Sequence, residues 1–167
     1  MHEQLKTPTP KLCKQLTIIV ATIFTAGITA TVLQYHKLPS SIPVLQSFTT
    51  DHAQFGPKIA IFYLPFVALM LFLLLHYLEI KAAYPVVRKH KPTLSHKERQ
   101  NGIIIFCLIK NSILLYFTYS LFNDLLVAMG HNRILQQWHA YGFLALLSII
   151  FIAGIIRGLF LQHKAKS

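Results

Sequence analysis

Four long runs of apolar residues, separated by polar connections, dominate the pattern of this 167-residue chain. The runs cover residues 16–33, 59–78, 103–122 and 141–161. Each run is about 18 to 21 residues long, which is what a helix rising 1.5 Å per residue needs to cross a hydrocarbon core of about 30 Å. The pattern therefore predicts four transmembrane helices.

The continuity of these runs predicts an all-α fold, an integral membrane four-helix bundle. Barrel strands would instead alternate in polarity over about ten residues. With 54% hydrophobic and 13% charged residues, the chain also has too little polar surface for a soluble domain of this size. Lys11, Lys14 and Ala30 would suit a cleaved signal peptide, but the first run is longer than an h-region of about 7 to 15 residues, so we predict a retained helix.

The basic residues are unevenly distributed among the connections. The two connections after the first and third runs contain only Lys37, Lys58 and Arg133. The other flanking segments and the last helical turn hold Lys6, Lys11, Lys14, Lys81, Arg88, Lys89, Lys91, Lys97, Arg99, Arg157, Lys164 and Lys166. Because basic loops stay in the cytoplasm, we predict a multi-pass protein of the bacterial cytoplasmic membrane with both termini inside.

This topology divides the chain into five segments. They are a cytoplasmic N-terminus at 1–15, a first domain at 16–78 with an outer loop at 34–58, a basic cytoplasmic loop at 79–102, helices 3 and 4 at 103–161 with an outer loop at 123–140, and a tail at 162–167. The net charge of +11 fits attraction to anionic lipid headgroups. No groove-reading motif is present, so the lipid bilayer and not a nucleic acid is the predicted partner.

The outer loop at 34–58 contains the most specific sequence pattern. Pro39 and Pro43 fix their own φ and favour extended geometry before them, which predicts a stiff, non-helical strap. The loop and the next helix follow the pattern L-P-x-x-I-P-V, then aromatic-G-x-K, then a proline. The matching residues are Leu38, Pro39, Ile42, Pro43, Val44, Phe55, Gly56, Lys58 and Pro65.

This pattern resembles a bacterial membrane domain of unknown function, which is found at the N-terminus of the immunity protein against the sporulation-delaying peptide toxin. The match covers residues 16–75, that is, helices 1 and 2. The family histidine after I-P-V is Leu45 here, and the following Phe-Asn is Gln46 and Ser47. The Gly and Asp of the family's loop centre are Thr50 and Ala53.

The resemblance implies an immunity or sensing protein that meets an extracellular toxic peptide. The outer loop and the outer end of helix 3 would form the contact surface, and the basic loop would dock a cytoplasmic regulator. The alternative is a small transporter or accessory subunit that acts as a homo-oligomer, with the polar residues of helix 3 in its path.

Two polar residues, Lys110 and Asn111, lie about 10 Å inside helix 3, where ionisable groups are functional candidates. Because Glu79 lies nearer the membrane boundary, we expect no carboxylate at this depth and an ammonium that extends toward the cytoplasm; a pairing or conducting role is the alternative. A second polar face further along helix 3 predicts packing against a neighbouring helix or an outer pocket. Its residues are Ser112, Tyr116, Tyr119, Ser120 and Asn123.

Three further features bear on helix packing. Pro65 predicts a kink in helix 2. Gly154-x-x-x-Gly158 in helix 4 permits close approach of another helix, within the bundle or in a dimer. Helix 1 carries a face of small residues, Thr22, Ala26 and Thr29. Aromatic residues form two predicted belts at the membrane boundaries, the outer one with Trp138 and Tyr141 and the inner one with Tyr77 and Tyr84.

The chain offers little catalytic chemistry. Cys13 and Cys107 fall on the reducing side, where no stable disulfide is expected. Only five carboxylates are present, and no nucleotide loop or catalytic triad accompanies them, so we predict no enzyme activity and no cofactor. Several outer residues suit a divalent metal but lack ligand spacing, and are predicted to be exposed; they are His36, Asp51, His52, His131 and His139.

Overall fold

The computed structural model describes residues 7–46, 53–84, 95–131 and 138–166. Four long helices dominate it: α1 (Lys11–Gln34), α2 (Tyr63–Ala83), α3 (His96–Ala128) and α4 (Trp138–Lys166). Each of the four is long and apolar enough to cross a membrane. The prediction of four long apolar helices is therefore confirmed, although the helices continue into the polar segments that flank the apolar runs.

The central helix is α3, which packs against α1, α2 and α4. Val20 and Phe24 of α1 meet Ala68 of α2 and Leu114 of α3 in a buried cluster. Close van der Waals packing of these apolar side chains favours association of the first three helices. In contrast, α4 lies at the edge, and only 6% of its most apolar window is buried.

The start of α3 is fixed by a capping box. The Ser95 hydroxyl accepts a hydrogen bond from the Glu98 N–H, and the Glu98 carboxylate accepts one from the Ser95 N–H at 2.6 Å. The other end of α3 closes at Gly130, whose φ of 85° is a left-handed conformation that only glycine adopts at low cost. At the same end as the capping box, the Thr7 N–H donates to the Ala83 carbonyl at 2.9 Å.

The connection between α1 and α2 contains more regular structure than the predicted strap. It consists of a 3-10 turn (Tyr35–Lys37), a hairpin of β1 (Ser41–Gln46) and β2 (Ala53–Pro57), and a second 3-10 helix (Lys58–Phe62). The prolines favour extended backbone as predicted, since Leu38 has a ψ of 141°. Pro43 fits in β1 because a two-stranded ladder leaves alternate N–H groups unpaired. The all-α class therefore needs a small antiparallel hairpin added to it.

The hairpin register pairs Ser41 with Pro57 and Ile42 with Gly56, and a bulge lies between Pro43 and Leu45. A bulge increases the local twist of a strand. The two strands are therefore expected to twist more than a flat ribbon.

Pro65 is the third residue of α2, just after the second 3-10 helix ends at Phe62. The kink that it predicts in helix 2 stays a prediction. Two other sequence predictions need correction. The loop predicted at 79–102 is helical at both ends, because α2 ends at Ala83 and α3 begins at His96. The outer loop predicted at 123–140 is shorter for the same reason, since α3 continues to Ala128.

Candidate functional site

The end of the bundle where α2 finishes and α3 begins, here the basic end, holds a group of polar side chains, most of which are buried. We name this group the basic-end cluster, and its members are Cys13 and Thr17 of α1, His76 and Glu79 of α2, and Cys107, Lys110 and Asn111 of α3. The cluster joins three helices, and the spacing of its residues in the sequence did not predict that they meet.

An ion pair lies at the centre of this cluster. The Lys110 ammonium donates to Oε2 of Glu79, and these residues retain only 1% and 4% of their exposure. The same ammonium lies 3.1 Å from Nδ1 of His76 and 5.4 Å from the centroid of the Phe72 ring. A carboxylate, an imidazole and an aromatic face thus surround one buried cation, which compensates the cost of removing it from water.

The expectation that Lys110 has no carboxylate partner is wrong, because its ammonium pairs with Glu79, and the pairing alternative is confirmed. Side chains on a helix point back toward its N-terminus, so Lys110 extends toward the basic end, as predicted. It meets Glu79 there because α2 continues to Ala83. The missed signal was the spacing of His76 and Glu79, three residues apart on one helical face.

Asn111 extends the cluster to α1. Its amide nitrogen donates to Oγ1 of Thr17 at 3.1 Å and to the Cys107 carbonyl at 2.8 Å. Its Oδ1 is buried and accepts no hydrogen bond from the described residues. Cys107 donates from its thiol to the Cys13 carbonyl at 3.7 Å, and both cysteines are free and buried.

The opposite end of the bundle carries an apolar counterpart, which we name the hairpin-end cap. Residues of the loop and of the second 3-10 helix pack on the last turns of α3. The buried members of the cap are Leu38, Ile42, Ile61, Leu121, Leu125 and Ala128. The two family-pattern residues Leu38 and Ile42 are only 5% and 2% exposed, so they hold the loop on α3.

Lys58, another residue of the pattern, fastens the base of the hairpin. Its N–H donates to the Ser40 carbonyl at 3.2 Å, and its ammonium lies 4.7 Å from the centroid of the Tyr35 ring. Tyr35 in turn contacts Phe62, with 5.6 Å between the ring centroids. Pro39 is exposed beside this base.

Other loop positions are described only in part. Gly56 is half-buried and pairs with Ile42 across the hairpin. The side chains of Pro43, Val44, Leu45, Gln46, Ala53 and Phe55 and the whole of Ser47, Thr50, Asp51 and His52 lie outside the described part of the molecule.

The second polar face of α3 is directed toward α4. Tyr116 stacks on Phe143, with ring centroids 4.1 Å apart and planes 7° from parallel. Tyr119 lies 6.3 Å from the His139 ring. These two contacts favour the prediction that this face packs against a neighbouring helix.

The Gly154-x-x-x-Gly158 motif is used within the chain. A Cβ on Gly154 would lie 2.6 Å from Cγ1 of Ile105, and the Asn101 amide donates to the Gly154 carbonyl at 3.0 Å. Close helix approach is therefore confirmed, with α3 as the partner. The small-residue face of α1 is open instead: Thr22, Ala26 and Thr29 are exposed, and they line a shallow groove.

The part of the chain that the structure describes contains no candidate metal site. No three His, Cys, Asp or Glu side chains come together there. His36, His131 and His139 are exposed and lie on separate elements.

Comparisons with known proteins assign the chain to no group. The sequence matches no family model, no curated protein and no solved structure.

Proposed function

We propose that this chain is a multi-pass protein of the bacterial cytoplasmic membrane, with both termini inside, that recognises an extracellular toxic peptide and protects the membrane from it. The observation that carries the proposal is the hairpin-end cap. Leu38 and Ile42, both in the pattern shared with the immunity-protein domain, seat the loop on α3. A loop held in this way offers a preorganised surface, which lowers the entropic cost of binding a ligand.

The central helix α3 supplies a route from recognition to response. It carries Leu121 and Leu125 of the cap and, further along the same helix, Lys110 of the basic-end cluster. A ligand that binds one arrangement of the cap more tightly than another biases the position of α3. The basic segment at 79–102 is then the surface at which we expect a cytoplasmic regulator to dock.

The transporter alternative receives less support from the geometry. Ionisable groups on a translocation path open to water, whereas Lys110 is 1% exposed and is paired with Glu79. An accessory role as a homo-oligomer would need a surface at which helices of two copies pack together, and the groove on α1 is available for this. We therefore favour recognition of a peptide over transport.

Survival of a sensitive bacterial host tests the proposal. Cells with and without the protein are challenged with a panel of membrane-active toxic peptides from related strains, and we expect the protein to protect against at least one. Lys58→Glu places a carboxylate against the Tyr35 ring and should abolish protection at unchanged membrane abundance. Gly56→Trp, in the hairpin opposite Ile42, should do the same.

Lys37→Glu is the matched control, because it makes the same charge change at an exposed position of the same loop. It should retain protection. Absence of protection against every peptide of the panel would contradict the proposal, and equal loss in both lysine variants would show that the net charge of the loop matters instead of the cap.

A further inference from the structure

We propose that His76, Glu79 and Lys110 form a proton-responsive latch between α2 and α3, closed when His76 is neutral and opened by its protonation. This inference does not depend on peptide recognition, because it concerns how the two helices are held together. It rests on the geometry of three side chains of the basic-end cluster, none of which belongs to the hairpin-end cap.

The first step is the tautomer that the contact requires. An ammonium group has hydrogens to donate and no lone pair to accept with. The 3.1 Å contact from Lys110 to Nδ1 of His76 is therefore a hydrogen bond only if Nδ1 carries no proton. The closed arrangement thus selects the neutral imidazole with its hydrogen on Nε2.

The second step is what protonation changes. A proton on Nδ1 removes this acceptor and places a second cation beside Lys110. Nδ1 also lies 3.5 Å from Oε2 of Glu79, so the imidazolium becomes a rival partner for the one carboxylate. Two cations then compete for a single anion, and the contact between α2 and α3 weakens.

The third step is access. The His76 side chain keeps 46% of its exposure, whereas the Glu79 side chain keeps 5%. His76 is also only two residues from the end of the apolar run 59–78, which places its imidazole near the predicted membrane boundary, where it can exchange protons while the ion pair beneath it stays buried. Among the described residues, the other ionisable groups of the surrounding helices near this pair are the Cys107 thiol on α3 and the Cys13 thiol on α1. Phe72 stacks on the His76 ring at 6.1 Å and limits its rotation.

The direction of the pH effect follows from linkage. The open state binds one more proton than the closed state, so closure weakens as the pH falls. In the predicted topology the basic end faces the cytoplasm, and the latch would respond to cytoplasmic acidification.

Hydrogen exchange of the full chain in phospholipid nanodiscs tests the latch. Each variant is compared with wild type at the same pH, so that intrinsic exchange rates cancel. We expect amide protection over residues 72–83 of wild type to fall several-fold between about pH 7.5 and 5.5. His76→Asn keeps an acceptor near the position of Nδ1 but does not titrate, and it should abolish this fall.

Two further variants keep the test decisive. His36→Asn changes an exposed histidine in the first 3-10 turn and should retain the pH response of wild type. The double variant Glu79→Gln with Lys110→Met removes both charges, and it should be insensitive to pH even if His76→Asn fails to fold. A pH response that persists in either His76→Asn or the double variant would overturn the proposal, as would its loss in His36→Asn.

Discussion

At the basic end, α2 and α3 meet through the buried charges of Glu79 and Lys110, whereas at the hairpin end the loop meets α3 through the apolar side chains of Leu38, Ile42 and Leu121. The two contacts differ in how they fail. Removal of one charge leaves the other buried without compensation. Removal of a methyl group from the cap costs an amount that grows with the lost volume. The basic end is therefore an all-or-none contact and the hairpin end a graded one.

The sharpest test of this difference changes one charge and then both. Glu79→Ala should lower the free energy of unfolding by about 3 to 5 kcal/mol, because Lys110 would remain buried and unpaired. The double change Glu79→Leu with Lys110→Met should recover most of that loss. Denaturant titration in mixed micelles measures both. If the double variant were no more stable than Glu79→Ala, the two charges would not act as a unit.

The cap should instead show a graded response. Leu121→Ala is expected to cost about 3 kcal/mol, and Ile42→Val about 1 kcal/mol, in proportion to the volume removed. Leu115→Ala, on the same helix but 40% exposed, should change stability by less than about 0.5 kcal/mol. Equal losses for Leu121→Ala and Leu115→Ala would mean that the cap does not pack as described.

A third test asks where α4 packs closely against α3. Gly154→Leu forces a side chain into Ile105 and should cost about 1 to 3 kcal/mol by overpacking. Gly158→Ala is the control, because its Cβ would lie 3.7 Å from Nδ2 of Asn101, which is ordinary contact. Thermal unfolding in micelles compares the two variants. If Gly158→Ala lowered the stability as much as Gly154→Leu, the closest contact between α4 and α3 would not lie at Gly154.

The smallest effect is expected at the base of the hairpin. Lys58→Met removes the cation above the Tyr35 ring but keeps most of the apolar stem, so we expect a loss of about 0.5 to 1 kcal/mol. Lys37→Met, at an exposed site of the same loop, should leave stability unchanged. The rate of proteolysis of the hairpin in intact vesicles measures its local stability. Equal cleavage of both variants would show that Lys58 does not stabilise the base of the hairpin.

The sequence predicted the helices better than their contacts, for a physical reason. An apolar run of about 20 residues is a local signal, and all four such runs form helices. The partner of Lys110 depended instead on where α2 ends. The chain continues helically through Lys81, Ala82 and Ala83, which are good helix formers, and this continuation keeps Glu79 inside the helix.

The hairpin was missed because its stabilising contacts are not local. Pro39 and Pro43 are depleted in regular strands, so they favour a strap when read alone. Packing of Ile42 on α3 determines which face of β1 is buried, and that contact joins residues about eighty positions apart in the chain. The sequence pattern at 38–44 includes Leu38 and Ile42, but it does not indicate that these two residues pack on α3.

The edge position of α4 has a consequence for how the bundle assembles and for which substitutions it tolerates. A helix that contacts the rest of the chain mainly along Gly154 and the Tyr116–Phe143 stack can dock last, after the first three helices have packed together. Over evolutionary time, most of its exposed apolar positions can exchange among Leu, Ile, Val and Phe, while Gly154 is the position that this packing holds to glycine.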